Sequence, residues 1–385
     1  MLKKFKEYGI PLILFVLTLL SAIYAGATHG SFFMVDYINS NNIPEDEFSF
    51  SILLQGAYYA VPFILILGVH EFGHYFMAKY YKIKTSLPYF IPMPFMLIGT
   101  MGAIIRLKGS QTKKQFFDVG IAGPLAGFVV ALMFLIYGFV NIPPQEDITK
   151  IHPEYQVAID QYGIENYQDH VYEGKEEGVM IGIGGNLLFT FLSKVLVEDP
   201  KDIPGDFEVM HYPFIFAGYL ALFFTALNLL PIGQLDGGHI LYGLVGHKLH
   251  SIISPIVFGC FVFYAGLGFD YISIHEMPTN ELMINSGLYI GFMFILFKNI
   301  VPTRTNAILI AMGMFTAHFM LNFAFPNLEG YSGWVVFILL LSRLLGVFHP
   351  RAFIEEEISI NRKILGWLSL AIFVLCFSPQ PFIFQ

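Results

Sequence analysis

Long apolar runs separated by short polar stretches set the pattern of this chain. They extend from Ile10 to about Ala27, from Phe48 through Leu67 to Tyr81, and from about Asp118 to Val140. Later runs cover Pro213 to Leu230, about Ile252 to Phe269, Ile284 to Phe297, Thr305 to Phe325, Trp334 to Phe348 and Ile364 to Phe382. Most approach or exceed the roughly 18–20 residues a helix needs to cross a bilayer core. The pattern predicts an all-α polytopic membrane protein with about eight transmembrane helices. The first run follows Lys3, Lys4 and Lys6 and is longer than a signal-peptide core, so it is expected to be a retained span, a cleaved signal peptide being the alternative.

One apolar stretch breaks the pattern. Leu87 to Leu107 contains Pro88, Pro92 and Pro94, which remove helix donors, together with Gly99 and Gly102. Irregular backbone at membrane depth must be buried in protein or line a wet cavity. The stretch is therefore expected to fold back as a re-entrant β-hairpin or loop, with a strand over Gly102 to Leu107; a loop lying on the bilayer surface is the alternative. Asn141 to His211 is the only sizeable hydrophilic segment, and its Gly184 to Val197 piece is apolar but too short to span. Three regions follow: 1–47, a first span and acidic loop; 48–248, a core carrying the extracytoplasmic insertion 141–211; and 249–385, accessory spans.

Composition agrees with the pattern: 55% of the residues are hydrophobic, only 13% are charged, and mean hydropathy is +0.62. Cys260 and Cys376 both fall within apolar runs and provide neither a disulfide framework nor a cysteine metal site. No Lys/Arg cluster is dense enough to track phosphates, so nucleic acid is excluded as a partner. With Met1 cytoplasmic and Leu87 to Leu107 not crossing, 17 Lys/Arg lie inside and 4 outside, accounting for all 21. That asymmetry satisfies the positive-inside rule and places the N-terminus in the cytoplasm.

Candidate chemistry sits at the cytoplasmic end of the second run, in His70-Glu71-Phe72-Gly73-His74. An H-E-x-x-H pattern puts two imidazoles at i and i+4 on one helical face, with a carboxylate able to reach a water held by the metal. A catalytic zinc site needs a third protein ligand and one open position. Asp236 is the expected donor. It follows an apolar run that ends on the same side, and Gly237 and Gly238 beside it allow close backbone approach. His70, His74 and Asp236 would hold one Zn²⁺ per chain, and Glu71 would serve as general base.

HEFGH at the end of one span, with Asn228-x-x-Pro231 and Leu235-Asp236-Gly237 after another, resembles the site-2 protease family of intramembrane zinc metalloproteases. The resemblance covers about Phe48 to Lys248. It implies that His70, His74 and Asp236 bind zinc, that Glu71 activates water, and that the Asn228 segment helps hold the substrate. The implied substrate is a membrane-spanning helix, often one already shortened by another protease, inside the lipid bilayer. Gly123-Pro124-Leu125-Ala126-Gly127 also resembles a small-residue motif of the family, with Gly127 where a polar residue is common. No PDZ or CBS domain is recognised.

On this reading the chain hydrolyses peptide bonds within transmembrane segments, with the active site towards the cytoplasm. Asn228 is a candidate oxyanion donor, its alternative being a local helix cap. A strand edge near Gly102 to Leu107 could pair with an unwound substrate. Elsewhere, His318 and Asn322 suggest interhelical hydrogen bonding, with a second metal or proton path as the alternative; His239 and His247 suggest solvated cytoplasmic positions, with support of the metal ligands as the alternative; and Arg343 suggests an interfacial anchor. Competing readings are a membrane zinc transporter, a scaffold stabilised by zinc, or a different class of membrane zinc peptidase. A transporter would draw polar residues from several spans, whereas here they concentrate in two segments.

Overall fold

A computed structural model describes residues 5–28, 53, 56–109, 111–164, 166–167, 170–171, 181–269 and 278–384. The acidic loop expected at Ser31 to Glu47 lies outside the described residues. The chain forms two compact units, one of Met1–Ser110, Asp118–Asn228 and Trp367–Gln385, the other of Gln111–Phe117 and Leu229–Gly366.

In the first unit, helix α1 (Ile10–Thr28) is preceded by a π turn, Phe5–Gly9. Helix α2 (Ala57–Tyr80) has 24 residues, about 36 Å at 1.5 Å per residue. Along α2 the buried stripe runs Tyr59, Phe63, Ile66, Leu67, His70, His74 and Ala78, recurring every three or four residues. The opposite stripe of Tyr58, Val61, Leu65, Phe72 and Phe76 is exposed. An uncovered apolar face of this length suits lipid and is costly in water. Both histidines therefore point inward on a helix whose outer face is apolar.

After α2 the proline-rich stretch forms strands. β1 (Lys84–Thr85) pairs antiparallel with β4 (Leu107–Lys108), and β2 (Tyr89–Pro92) with β3 (Thr100–Ile104). The register pairs Phe90 with Ala103, then shifts so that Pro92 faces Thr100; Pro92 has no N–H to continue a regular ladder. The main strand thus begins at Thr100, two residues before the expected Gly102, where the Thr100 hydroxyl donates to the Ile91 carbonyl at 2.8 Å. A separate short pair begins at Leu107. Ser21 on α1 donates to the Gly99 carbonyl at 2.5 Å and accepts from the Met93 N–H at 3.2 Å, while Tyr59 on α2 donates to the Ile98 carbonyl at 2.9 Å. These bonds tie the hairpin tip to both helices.

Helix α3 (Lys113–Val140) belongs to this unit from Asp118 onward. Its Val119 packs with Ala78 and Ile83, against Met77, Tyr81 and Leu107. The insertion then supplies α4 (Tyr155–Tyr162), β5 (Ile181–Ile183) and α5 (Leu187–Leu196). The short apolar piece is helical because Asn186 caps it, accepting from the Phe189 N–H at 2.9 Å. β5 pairs antiparallel with β6 (Phe382–Phe384) near the end of the chain. Helix α6 (Pro213–Leu229) lies in this unit through Asn228.

The second unit contains α7 (Asp236–Gly266), α8 (Thr279–Phe297), α9 (Arg304–Ala324), α10 (Val335–Leu340) and the first turns of α11 (Ile360–Cys376). Helix α7 starts well before the expected Ile252 and is broken at Gly246, whose φ of 76° and ψ of 172° are non-helical. His318 joins three helices, its Nε2 donating to the Phe263 carbonyl at 2.9 Å and its Nδ1 lying 2.5 Å from the Tyr289 hydroxyl. This is the expected interhelical role. The Arg343 guanidinium donates to the Ile295 carbonyl at the end of α8.

Among the described residues six helices are long and apolar enough to cross a membrane: Phe5–Thr28, Ala57–Tyr80, Lys113–Val140, Asp236–Gly266, Asn280–Phe297 and Arg304–Ala324. Pro213–Leu229 and Ser332–Leu345, counted among the expected spans, are shorter. The second of these passes through 3₁₀, α and π turns and ends at Gly346, where φ is 80°.

Candidate metal centre

The 3.6-residue helical period places His70 and His74 one turn apart on the buried stripe of α2. His70, Glu71 and His74 are 5%, 6% and 6% exposed, so all three are withdrawn from the surface. The two Nε2 atoms are 3.1 Å apart. That separation is close to the roughly 3.3–3.4 Å edge of a tetrahedron with zinc–nitrogen bonds of about 2.0–2.1 Å.

The protonation pattern of His74 follows from its neighbour. Its Nδ1 lies 2.7 Å from the Val119 carbonyl, which can only accept, so Nδ1 carries the proton and donates. The Nε2 lone pair is then directed at His70, and the carbonyl holds the ring in the tautomer a metal requires. Asn228, at the end of α6, brings its Nδ2 to 3.4 Å from His70 Nε2. An amide donor thus stands at the edge of the histidine pair.

Helix α3 makes room for the rings. A Cβ added to Gly123 would lie 2.1 Å from His74 Nε2, and one at Gly127 would lie 3.0 Å from the His70 Cβ. Glycine at 123 is a steric requirement of the His74 position. The small-residue motif thus shapes the histidine cradle. The Val119 carbonyl went unanticipated because a backbone acceptor has no residue-type signature.

Asp236 belongs to the second unit, as the half-buried first residue of α7. Leu235 ahead of it is extended, and a Cβ at Gly237 would fall 1.9 Å from the Leu229 carbonyl. The turn between α6 and α7 is therefore tight and admits no side chain at 237. His239 is not solvated as expected: its ring stacks on Phe116 at 5.3 Å and its Nδ1 lies 2.6 Å from His349 Nε2.

The model of peptidase family M50 matches residues 58–265, more than half of the chain, including His70, Glu71, His74, Asn228 and Asp236. The chain belongs to family M50. This is the site-2 protease family anticipated from HEFGH and Leu235-Asp236-Gly237. A probable zinc metalloprotease EGY2, chloroplastic, of Oryza sativa subsp. indica is 30% identical to this family member over 209 residues, 54% of the chain and 33% of that protein. A probable zinc metalloprotease EGY1, chloroplastic, of Oryza sativa subsp. japonica is 28% identical over 258 residues, 62% and 38% of the two chains. The Arabidopsis thaliana EGY2 protein is 30% identical over 185 residues, 48% and 28%. The matches span about a third of the length of these curated relatives. No solved structure matches this M50 chain.

Proposed function

We propose that this chain is an intramembrane zinc metalloprotease that hydrolyses peptide bonds within transmembrane segments of other proteins. The observation that carries the reading is the pair of buried imidazole Nε2 atoms, 3.1 Å apart on a helix with an apolar outer face. Membership of a peptidase family supports it, as do relatives named zinc metalloproteases.

Asp236 is the third ligand in this proposal. The turn that brings Gly237 back against Leu229 makes Asp236 the first residue of α7, beside glycines that allow close backbone approach. Two neutral imidazoles and one carboxylate leave a formal charge of +1 on the zinc centre. A zinc ion held there supplies a Lewis acid that acidifies water towards neutral pH and polarises a peptide carbonyl. Glu71 takes the proton of the attacking water and delivers it to the departing amine. Asn228 donates from Nδ2 to the oxyanion that develops on the scissile carbonyl. Val119 keeps His74 in its binding tautomer throughout.

The substrate helix must open before its carbonyls can be attacked, because they are already hydrogen-bonded at i to i+4. β3 pairs only with β2 among the described residues, and Met101 and Ile104 on it are half-exposed. Its other edge can accept the extended substrate and replace the lost helical bonds. The hairpin is re-entrant in this reading, the active site faces the cytoplasm, and the substrate is a membrane protein already shortened by another protease.

The test compares wild type with Glu71→Gln on a helical membrane substrate in reconstituted vesicles, with zinc content measured in parallel. Wild type should cleave while Glu71→Gln keeps its zinc and loses cleavage. Equal cleavage by the two proteins overturns the proposal.

A further inference from the structure

The insertion between α3 and α6 carries a second convergence of ligand-type side chains that the protease chemistry leaves unused. His152 follows the 3₁₀ turn Gln145–Lys150, while Glu208 and His211 stand just before α6. His152 Nε2 is 3.1 Å from His211 Nε2. Glu208 Oε2 is 3.4 Å from His211 Nε2 and 3.8 Å from His152 Nε2. A point equidistant from the three atoms lies about 2.0 Å from each, which is the bond length of zinc to imidazole nitrogen and carboxylate oxygen.

Surrounding contacts orient these groups. His152 Nδ1 is 3.1 Å from Glu154 Oε1, so Nδ1–H donates outward to the carboxylate and Nε2 turns its lone pair inward. The Tyr155 hydroxyl donates to Glu208 Oε1 at 3.0 Å and leaves Oε2 as the inward atom. The Tyr155 ring stacks on His152 with centroids 4.5 Å apart. Glu208 and His211 are 3% and 7% exposed, so the carboxylate and the imidazole nitrogens meet in a place largely closed to solvent. His211 also lines a cavity of about 170 Å³ with Asn141, Asp147 and Tyr212.

We propose that His152, Glu208 and His211 form a second metal site for a divalent cation of the zinc class. Two imidazoles and a carboxylate select a transition metal over the all-oxygen shells of calcium or magnesium. The site joins residues 56 and 59 positions apart, so the metal staples the start of the insertion to the entry of α6. The chain then holds two metal ions, where the HEFGH motif alone accounts for one.

The test is zinc stoichiometry on purified full-length protein, stripped with chelator and reloaded with Zn²⁺ alone. His70→Ala/His74→Ala protein should keep one zinc per chain, and adding His152→Ala and His211→Ala should remove it. Folded His70→Ala/His74→Ala protein that holds no zinc overturns the second site, whatever becomes of the first. His211 is buried, so a milder variant guards against misfolding. His152→Ala in the His70→Ala/His74→Ala background should weaken zinc at least ten-fold in chelator competition. Unchanged affinity also overturns it, because His152 then contributes no bond to the metal.

Discussion

Gly123→Ala separates the geometry of the histidine cradle from ordinary helix energetics. By propensity alone, replacing a mid-helix glycine with alanine stabilises a protein by about 0.5–1 kcal/mol. Here the new methyl would sit 2.1 Å from His74 Nε2, 2.4 Å from Cδ2 and 2.5 Å from Cε1. Carbon and nitrogen atoms pack at roughly 3.5 Å, so the ring must retreat by more than about 1 Å. Metal ligands tolerate displacements of only about 0.2 Å. His74 therefore leaves the metal or gives up its bond to Val119. The expected loss is roughly 100-fold in zinc affinity, about 2.7 kcal/mol, with cleavage lost alongside. Chelator competition on purified protein reads the affinity, and thermal melting of the metal-free protein reads the fold. Gly127→Ala is the graded control: its methyl meets the His70 Cβ at 3.0 Å, a contact relieved by a shift of a few tenths of an ångström, and should cost less. Wild-type zinc retention in Gly123→Ala would refute the reasoning, since the ring could then move without penalty.

Other predictions test separate parts of the molecule. Asn228→Ala should lower kcat by roughly 100-fold or more with zinc content unchanged, as expected for loss of an oxyanion donor; an effect on zinc alone would make it a ligand-orienting residue. Ile104→Pro should abolish cleavage of a membrane substrate while sparing zinc, and unchanged cleavage would remove β3 as the substrate edge. His349 is pushed down to about 3 by burial, reinforced by His239 and further histidines nearby. Its folded pKa lies below the unfolded value of about 6.5, so the unfolded chain binds the extra proton between those limits. Stability should fall by about 1.5 kcal/mol between pH 6.5 and 5, read from melting temperatures, and His349→Gln should flatten the slope. Equal slopes would show that another group carries the acid sensitivity.

How much was legible from residues alone depended on the range of the interaction. The pairing of His70 with His74 follows from helical period, and their inward direction from the apolar stripe they share. The hairpin was anticipated from prolines that cannot continue a helix, although its strand begins at Thr100 because the kink at Pro92 shifts the register. Helices such as α7 began earlier than hydropathy suggested, because polar turns such as Asp236 to His239 satisfy their backbone bonds as well as apolar ones do. His239 is stacked rather than solvated because Phe116, more than a hundred positions away in the chain, comes to rest on its ring.

By itself the sequence determined the membrane class, the helix that carries the histidine pair and the family, because each rests on composition or on spacing within a single element. Only the tertiary structure decided that Val119 sets the His74 tautomer, that Gly123 is required by an imidazole ring, and that His152 meets Glu208 and His211. Those contacts depend on where separate elements come to rest, and a backbone carbonyl or an absent Cβ leaves no mark on residue type that spacing can detect.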